Sequence, residues 1–242
     1  MERHFVALEE GLHSMKSKQL DPLLILNALP DNGDGQENTL PRLELPKGVK
    51  VLVRPWEQMV SPQYELSFRI DDDNYGHSIR VPAYFEPLEV SIPLADHMFA
   101  HGRHTLGWMS MDFDTGNIAE GEPSNFYVDI VDPNVYQQPD QLLLPADLPD
   151  GDITQDYLEQ HGGVTFTLPS FLDPKPGDSF RFFIDDDLIL DRPAVAPYSF
   201  LVDKTVFAGL PGGELVLTYS ISDRAGNRTI NAVPKRVDYH RS

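Results

Sequence analysis

Two stretches of this sequence carry the same series of short matches in the same order, and this repeat constrains the fold more than any other feature. Gly48-Val49-Lys50-Val51-Leu52-Val53 with Trp56 is answered by Gly163-Val164-Thr165-Phe166-Thr167-Leu168 with Phe171, 115 positions on. Phe68-Arg69-Ile70-Asp71-Asp72-Asp73 is answered by Phe182-Phe183-Ile184-Asp185-Asp186-Asp187 at 114. Ser110 through Gly116-Asn117 meets Ser220 through Gly226-Asn227 at 110, and Val128-Asp129-Ile130 meets Val237-Asp238-Tyr239 at 109. Colinear matches whose offset shrinks steadily are what two copies of one fold give when the second has shorter loops.

Within each copy the apolar residues alternate with polar ones, the period of a strand with one buried face. Tyr64, Leu66, Phe68 and Ile70 form one such set, and Leu215, Leu217, Tyr219 and Ile221 another. The 21 Pro and 17 Gly fall between these sets and break the chain into short elements. The pattern predicts an all-β chain of two tandem immunoglobulin-like Greek-key β-sandwiches with a short N-terminal helical segment. The expected divisions are an N-terminal segment over 1–47, sandwiches over 48–132 and 163–242, and a Pro-rich linker over 133–162 carrying a short helix or edge element near Ile153 to Gln160. Phe5, Leu8, Leu12 and Met15 recur at helical spacing and would form an apolar stripe, expected to cover an edge strand or to dock a partner.

Composition narrows the function. With 38 acidic against 19 basic residues, the net charge of −19 repels nucleic acid and anionic membranes. The absence of cysteine excludes disulfides, thiolate metal sites and cysteine nucleophiles. No run reaches the length of apolar chain that spans a bilayer, so no membrane insertion is expected. Charged residues interrupt positions 1–20, so no Sec signal is read and the expected location is the cytoplasm or export by another route.

The run Tyr219-Ser220-Ile221-Ser222-Asp223-Arg224-Ala225-Gly226-Asn227 resembles the penultimate strand and D-x-A-G-N turn of the bacterial immunoglobulin-like repeat (Big-type) family of large adhesin-like multi-repeat proteins. In the first copy only Gly116 and Asn117 keep that turn. The resemblance implies a β-sandwich fold and modular use, and it carries no catalytic residue across.

The candidate sites follow from the repeat. Asp71, Asp72, Asp73 and Asp185, Asp186, Asp187 recur at one strand end, where clustered carboxylates either suit Ca²⁺ or form an acidic solvated turn; otherwise no cofactor is expected. His97, His101 and His104 beside Asp96 have a spacing that suits zinc on a helix face, although Gly102 interrupts it. Asp129 and Asp238 read as outward, solvated strand residues. Trp108 aligns with Thr218, between inward Leu217 and Tyr219, which predicts an outward-facing indole that either anchors a protein or carbohydrate partner or packs against the linker or the other domain. No nucleophile elbow, zinc-protease helix or phosphate loop is present. The chain is therefore expected to be no enzyme but a non-catalytic modular binding or spacer protein of a bacterial surface, adhesin-like or secreted assembly. The alternatives are a cytoplasmic chaperone-like factor that docks a secreted partner through its N-terminal helix, and a carbohydrate-active enzyme with two opposed carboxylates.

Overall fold

The computed structural model describes residues 19–57, 59–71, 73, 76–95, 99–148 and 151–241. The stripe of Phe5, Leu8, Leu12 and Met15 lies outside the described residues, as do Asp72, Asp96 and His97.

The elements run β1 (Leu24–Ile25), β2 (Thr39–Leu40), a 3₁₀ turn (Leu45–Lys47), β3 (Val49–Val53), β4 (Gln63–Ile70), β5 (His77–Pro82), β6 (Leu88–Ile92), β7 (Gly102–Asp112), β8 (Ile118–Glu120) and β9 (Ser124–Val128). They continue with β10 (Asp152–Thr154), α1 (Gln155–His161), β11 (Gly163–Thr167), β12 (Ser179–Ile184), β13 (Asp187–Pro193), β14 (Ser199–Asp203), α2 (Lys204–Ala208), β15 (Gly213–Ser222) and β16 (Lys235–His240).

The sheets repeat one strand order. One sheet runs β2-β9-β7-β4-β5, with β8 on β7, and a later one runs β10-β16-β15-β12-β13. Beside them stand β1-β3-β6 and β11-β14. Matching these orders pairs β2 with β10, β3 with β11, β4 with β12, β5 with β13, β6 with β14, β7 with β15 and β9 with β16. The architecture is all-β, in two sheet groupings of tandem β-sandwich type.

The chain packs as two compact units that do not follow the expected boundaries. One takes its described residues from Met1–Leu24, Leu52–Leu88 and Leu106–Ser124; the other from Ile25–Val51, Glu89–Thr105 and Asn125–Ser242. In the first unit, Tyr64, Leu66, Phe68 and Ile70 turn inward along β4, and Leu106 joins them from β7.

In the second unit, Val164 and Phe166 of β11, Phe180, Phe182 and Ile184 of β12, Phe200 and Val202 of β14, and the inward set of β15 form one core. The stretch read as a linker contributes Leu142, Leu148, Ile153 and Leu158 to that core, so its later part is structural rather than connecting. The short element expected there is both a strand and a helix. β10 lies parallel to β16, with Ile153 opposite Tyr239. Thr154 then caps α1 by accepting a hydrogen bond from Tyr157 N at 3.2 Å, and Gly162 ends the helix at φ 73°.

Candidate functional site

Trp108 is not an exposed anchor. β4 and β7 pair with Phe68 opposite Trp108 and Ile70 opposite Leu106, while β12 and β15 pair with Phe182 opposite Tyr219 and Ile184 opposite Leu217. Residues directly opposite each other share a face, so Trp108 occupies the place of Tyr219, not Thr218. The offset along this strand is therefore 111. It falls to 110 only inside the following turn, which closes Asp112 N to Asn117 O in the first copy and Asp223 N to Asn227 O, one residue shorter, in the second. Carrying the turn's offset back into the strand is a one-residue slip, and such a slip reverses every side chain. The indole is 3% exposed, donates from Nε1 to the Asp21 carbonyl at 3.2 Å and packs edge-on against Trp56. Gly121 lies so close that a Cβ there would stand 1.8 Å from Nε1.

Asp71 and Asp185 sit in turns. Ile184 pairs with Asp187 across a two-residue connection in which Asp185 has φ 54°, and Asp71 has φ 53° at the equivalent point. Asp185 N donates to Val216 O at 2.7 Å, and its Oδ1 accepts from Val216 N at 3.0 Å, so the side chain is occupied in holding the hairpin to β15. Among the described residues no three His, Cys, Asp or Glu side chains stand as a set of metal ligands. Of the carboxylates suited to calcium, Asp72 lies outside the described residues, and Asp185 already spends Oδ1 on Val216 N. Of the histidine run, His104 is in no helix: it sits in β7, stacked on Phe126 with Nε2 2.9 Å from the Ala100 carbonyl.

The polar side chains that converge lie elsewhere, around the D-x-A-G-N turn and wholly within the second unit. Asn227 is completely buried. Its Nδ2 donates to Asp223 Oδ2 at 2.8 Å and to the Asp129 carbonyl at 2.9 Å, and its Oδ1 accepts from Arg42 at 3.2 Å. Arg42 N also donates to Ala225 O at 2.7 Å. Arg224, the variable residue of the motif, reaches into the 30–39 segment, donating to Pro30 O at 2.6 Å, Gln36 O at 2.6 Å and Thr39 Oγ1 at 3.0 Å. It also forms an ion pair with the fully enclosed carboxylate of Asp34. That segment is prepared to receive it by successive Asx turns, with Gly33 N on Asp31, Asp34 N on Asn32 and Gln36 N on Asp34.

Asp129, expected to be solvated, is 1% exposed. Its carboxylate accepts from Gln36 Nε2 at 2.8 Å and Val131 N at 3.1 Å, with His101 Nδ1 at 3.2 Å and Lys175 Nζ at 3.6 Å. Burial pulls the Lys175 pKa down, but its bond to Asp173 and the charge of Asp129 outweigh this and leave it above the ordinary lysine value. Burial also raises Asp223, against the hydrogen bonds from Asn227. Asp178 is pushed up to about 6, chiefly by burial, with the charge of Asp223 adding and the Lys175 N–H bond opposing. Arg224, Asp34 and Asp129 were missed as a set because they are far apart in sequence; the repeat and the turn motif pointed only to Asn227.

This arrangement is chemically a lock: paired charges and satisfied amides, with no open nucleophile or substrate cleft among its members. No family model matches the chain. No curated protein sequence matches it either. Among solved structures it is similar to a segment concerned with host cell surface retention of a 1.5-MDa bacterial ice-binding adhesin, at 15% identity and TM-score 0.45, covering 91% of this chain and 64% of that one. It is also similar to a Ca²⁺-stabilized adhesin that helps an Antarctic bacterium bind ice, at 14% identity and TM-score 0.48, covering 91% of this chain and 49% of that one. A third is the fibronectin(III)-like modules of Clostridium thermocellum CbhA, at 16% identity and TM-score 0.37, covering 80% of this chain and 85% of that one. The chain thus spans less than two thirds of the length of the two adhesin segments, and at these identities the likeness is one of fold type alone.

Proposed function

We propose that this chain is a non-catalytic modular binding or structural spacer protein of an adhesin-like bacterial surface assembly, with repeats of the Big type. The observation that carries the reading is the buried lock of Arg224 and Asn227 on Asp34, Arg42 and Asp129, which uses charged groups to hold the 30–42 segment and Asp129 on the D-x-A-G-N turn rather than for chemistry. The internal repeat and its recurring strand order support modular use. No helix among the described residues is long and apolar enough to cross a membrane.

Differential scanning calorimetry tests the reading. The intact chain should melt with its second core coupled to the 30–42 segment, and Arg224→Ala with Asn227→Ala should split off an earlier transition. An Arg224→Ala, Asn227→Ala chain that melts as the unaltered chain does would sink it, because the lock would then hold nothing.

A further inference from the structure

The stretch from Pro30 to Thr39 holds three acids, Asp31, Asp34 and Glu37, and no base. Gly33 and Gly35, at φ 80° and 79°, and the run of Asx turns from Asp31 to Gln36 curl it into a loop. Its polar groups are fixed from within. Asp34 Oδ1 accepts from Gln36 N at 2.8 Å, and Gln36 Nε2 donates to the Asp129 carboxylate at 2.8 Å. The Thr39 hydroxyl donates to the Gln36 carbonyl at 2.7 Å, which spends its one hydrogen and leaves only lone pairs to face a ligand.

Arg224 meets this loop chiefly through one atom. Its Nη2 lies 2.6 Å from the Gln36 carbonyl, 3.0 Å from Asp34 Oδ1 and 3.0 Å from Thr39 Oγ1. A guanidinium Nη carries two hydrogens in the plane of the group, so three oxygens exceed what it can serve with separate bonds. A spherical cation has no such limit. Nη1 takes the Pro30 carbonyl at 2.6 Å, and Nε faces Asp34 Oδ2. The loop thus turns both oxygens of one carboxylate, two carbonyls and a hydroxyl onto a single positive group. These are hard oxygen donors of the kind that calcium takes in sets of about six to eight at about 2.3–2.6 Å. The Asp34 side chain is 1% exposed and that of Arg224 11%, so the guanidinium and not bulk water supplies the countercharge.

We infer that residues 30–39 form a cation-binding loop of the calcium type whose resident cation is the Arg224 side chain, and that a calcium ion takes the Nη2 position when this arginine is removed. The inference rests on the lock reading above and deepens it. In the unaltered chain the cation is tethered to the D-x-A-G-N turn, so the loop is held there whatever the calcium concentration. With the arginine gone, the Asp34 carboxylate keeps its place and loses its countercharge. Moving the three oxygens around Nη2 inward by about half an ångström brings them to calcium distance. The space left by the rest of the side chain admits the waters that complete the shell. A lysine ends one bond short of Nη2, whereas a free ion has no stem and centres on those oxygens. One coordinating carboxylate makes a weak site, with a dissociation constant on the order of 1 mM.

Thermal melts and isothermal titration with calcium chloride test this on the full chain, in about 0.15 M KCl so that screening stays constant. Arg224→Ala should lower the melting midpoint. About 10 mM calcium should then recover at least about half of the fall, because a ligand that binds only the native state stabilises it by mass action. The variant should also bind one calcium ion more than the unaltered chain, a difference in which any uptake at the aspartate turns, common to both, cancels. Magnesium at the same concentration should not substitute, since it gives up its water reluctantly and demands a tighter octahedron. Adding Asp34→Asn to Arg224→Ala should abolish both the recovery and the extra ion. Arg224→Gln, with the same expected responses, replaces the alanine variant if that chain does not fold. No extra calcium in the variant, equal recovery by magnesium, or a response that survives Asp34→Asn overturns the inference. So does an unaltered chain whose midpoint follows calcium as strongly as the variant's. These outcomes leave the lock reading standing, whereas an Arg224→Ala chain that melts as the unaltered chain does overturns the lock and this inference together.

Discussion

Asp178 is a carboxylate held almost out of water, at 3% exposure, with Lys175 N donating to its Oδ2 at 2.8 Å. Its pKa of about 6 lies above the ordinary 3.8. Between those values the native chain holds a proton that the unfolded chain has lost, so stability falls as pH rises through that window. The upper limit of this penalty at neutral pH is about 3 kcal/mol. Asp178→Asn keeps an acceptor for Lys175 N and removes the charge, so it should raise the melting temperature above pH 7 and lose that advantage near pH 4. An equal effect at both would show that burial does not shift this group. A second residue, Gly121, owes its identity to Trp108. Gly121→Ala should cost about 1–3 kcal/mol by overpacking and shift tryptophan emission to the red as the indole is pushed from its place. Unchanged emission and melting would mean that the indole and its neighbours yield freely to the added methyl. The period-two pattern marked Tyr64, Leu66 and Phe68 as inward in the sequence, but Trp108 was misplaced because an extra residue hidden in a turn reverses the face of everything counted across it.

At the scale of the element, the D-x-A-G-N turn does more than reverse the chain. Its glycine and asparagine were legible as a turn because positive φ favours them. Its arginine was not legible, because the acceptors on Pro30, Asp34, Gln36 and Thr39 are almost two hundred residues away. The same limit hid Asp129: alternation gives the face of a strand residue, whereas its burial depends on what the chain later lays over it. Arg224→Met should destabilise the chain by about 3 kcal/mol or more, since the enclosed Asp34 carboxylate then loses its counter-charge. Adding Asp34→Leu should recover much of that loss, because removing both partners leaves no buried charge. Denaturant melts of the four variants in the cycle measure the coupling, and strictly additive losses would show that the two charges do not depend on each other. Arg224→Lys should not substitute, for an ammonium cannot reach several divergent acceptors from one planar fork.

For the whole molecule the informative error in the sequence reading is the boundary of the second sandwich. Proline and acidic residues between 133 and 162 look like a connection, and composition alone carries no sign that a few leucines among them are buried. Leu142 and Leu148 nevertheless belong to the second core, and Tyr219 donates its hydroxyl to the Asp140 carbonyl at 2.9 Å. Burial pushes that phenol well above its ordinary pKa, so it serves as a neutral donor. A fragment starting at Ile153 keeps every strand from β11 onward but exposes the floor on which these residues rest. One starting at Gln138 retains them, and both fragments lack residues 25–51 equally, so the comparison isolates the 138–152 stretch. Burying a leucine side chain is worth about 1.5–3 kcal/mol, so the two leucines together make the shorter fragment about 3–6 kcal/mol less stable. In a domain of about a hundred residues each kcal/mol moves the midpoint by about 4–8 °C, so the shorter fragment should melt at least about 12 °C lower. Circular dichroism melts of the two fragments side by side measure the difference, and coincident midpoints would return 138–152 to the role of a linker.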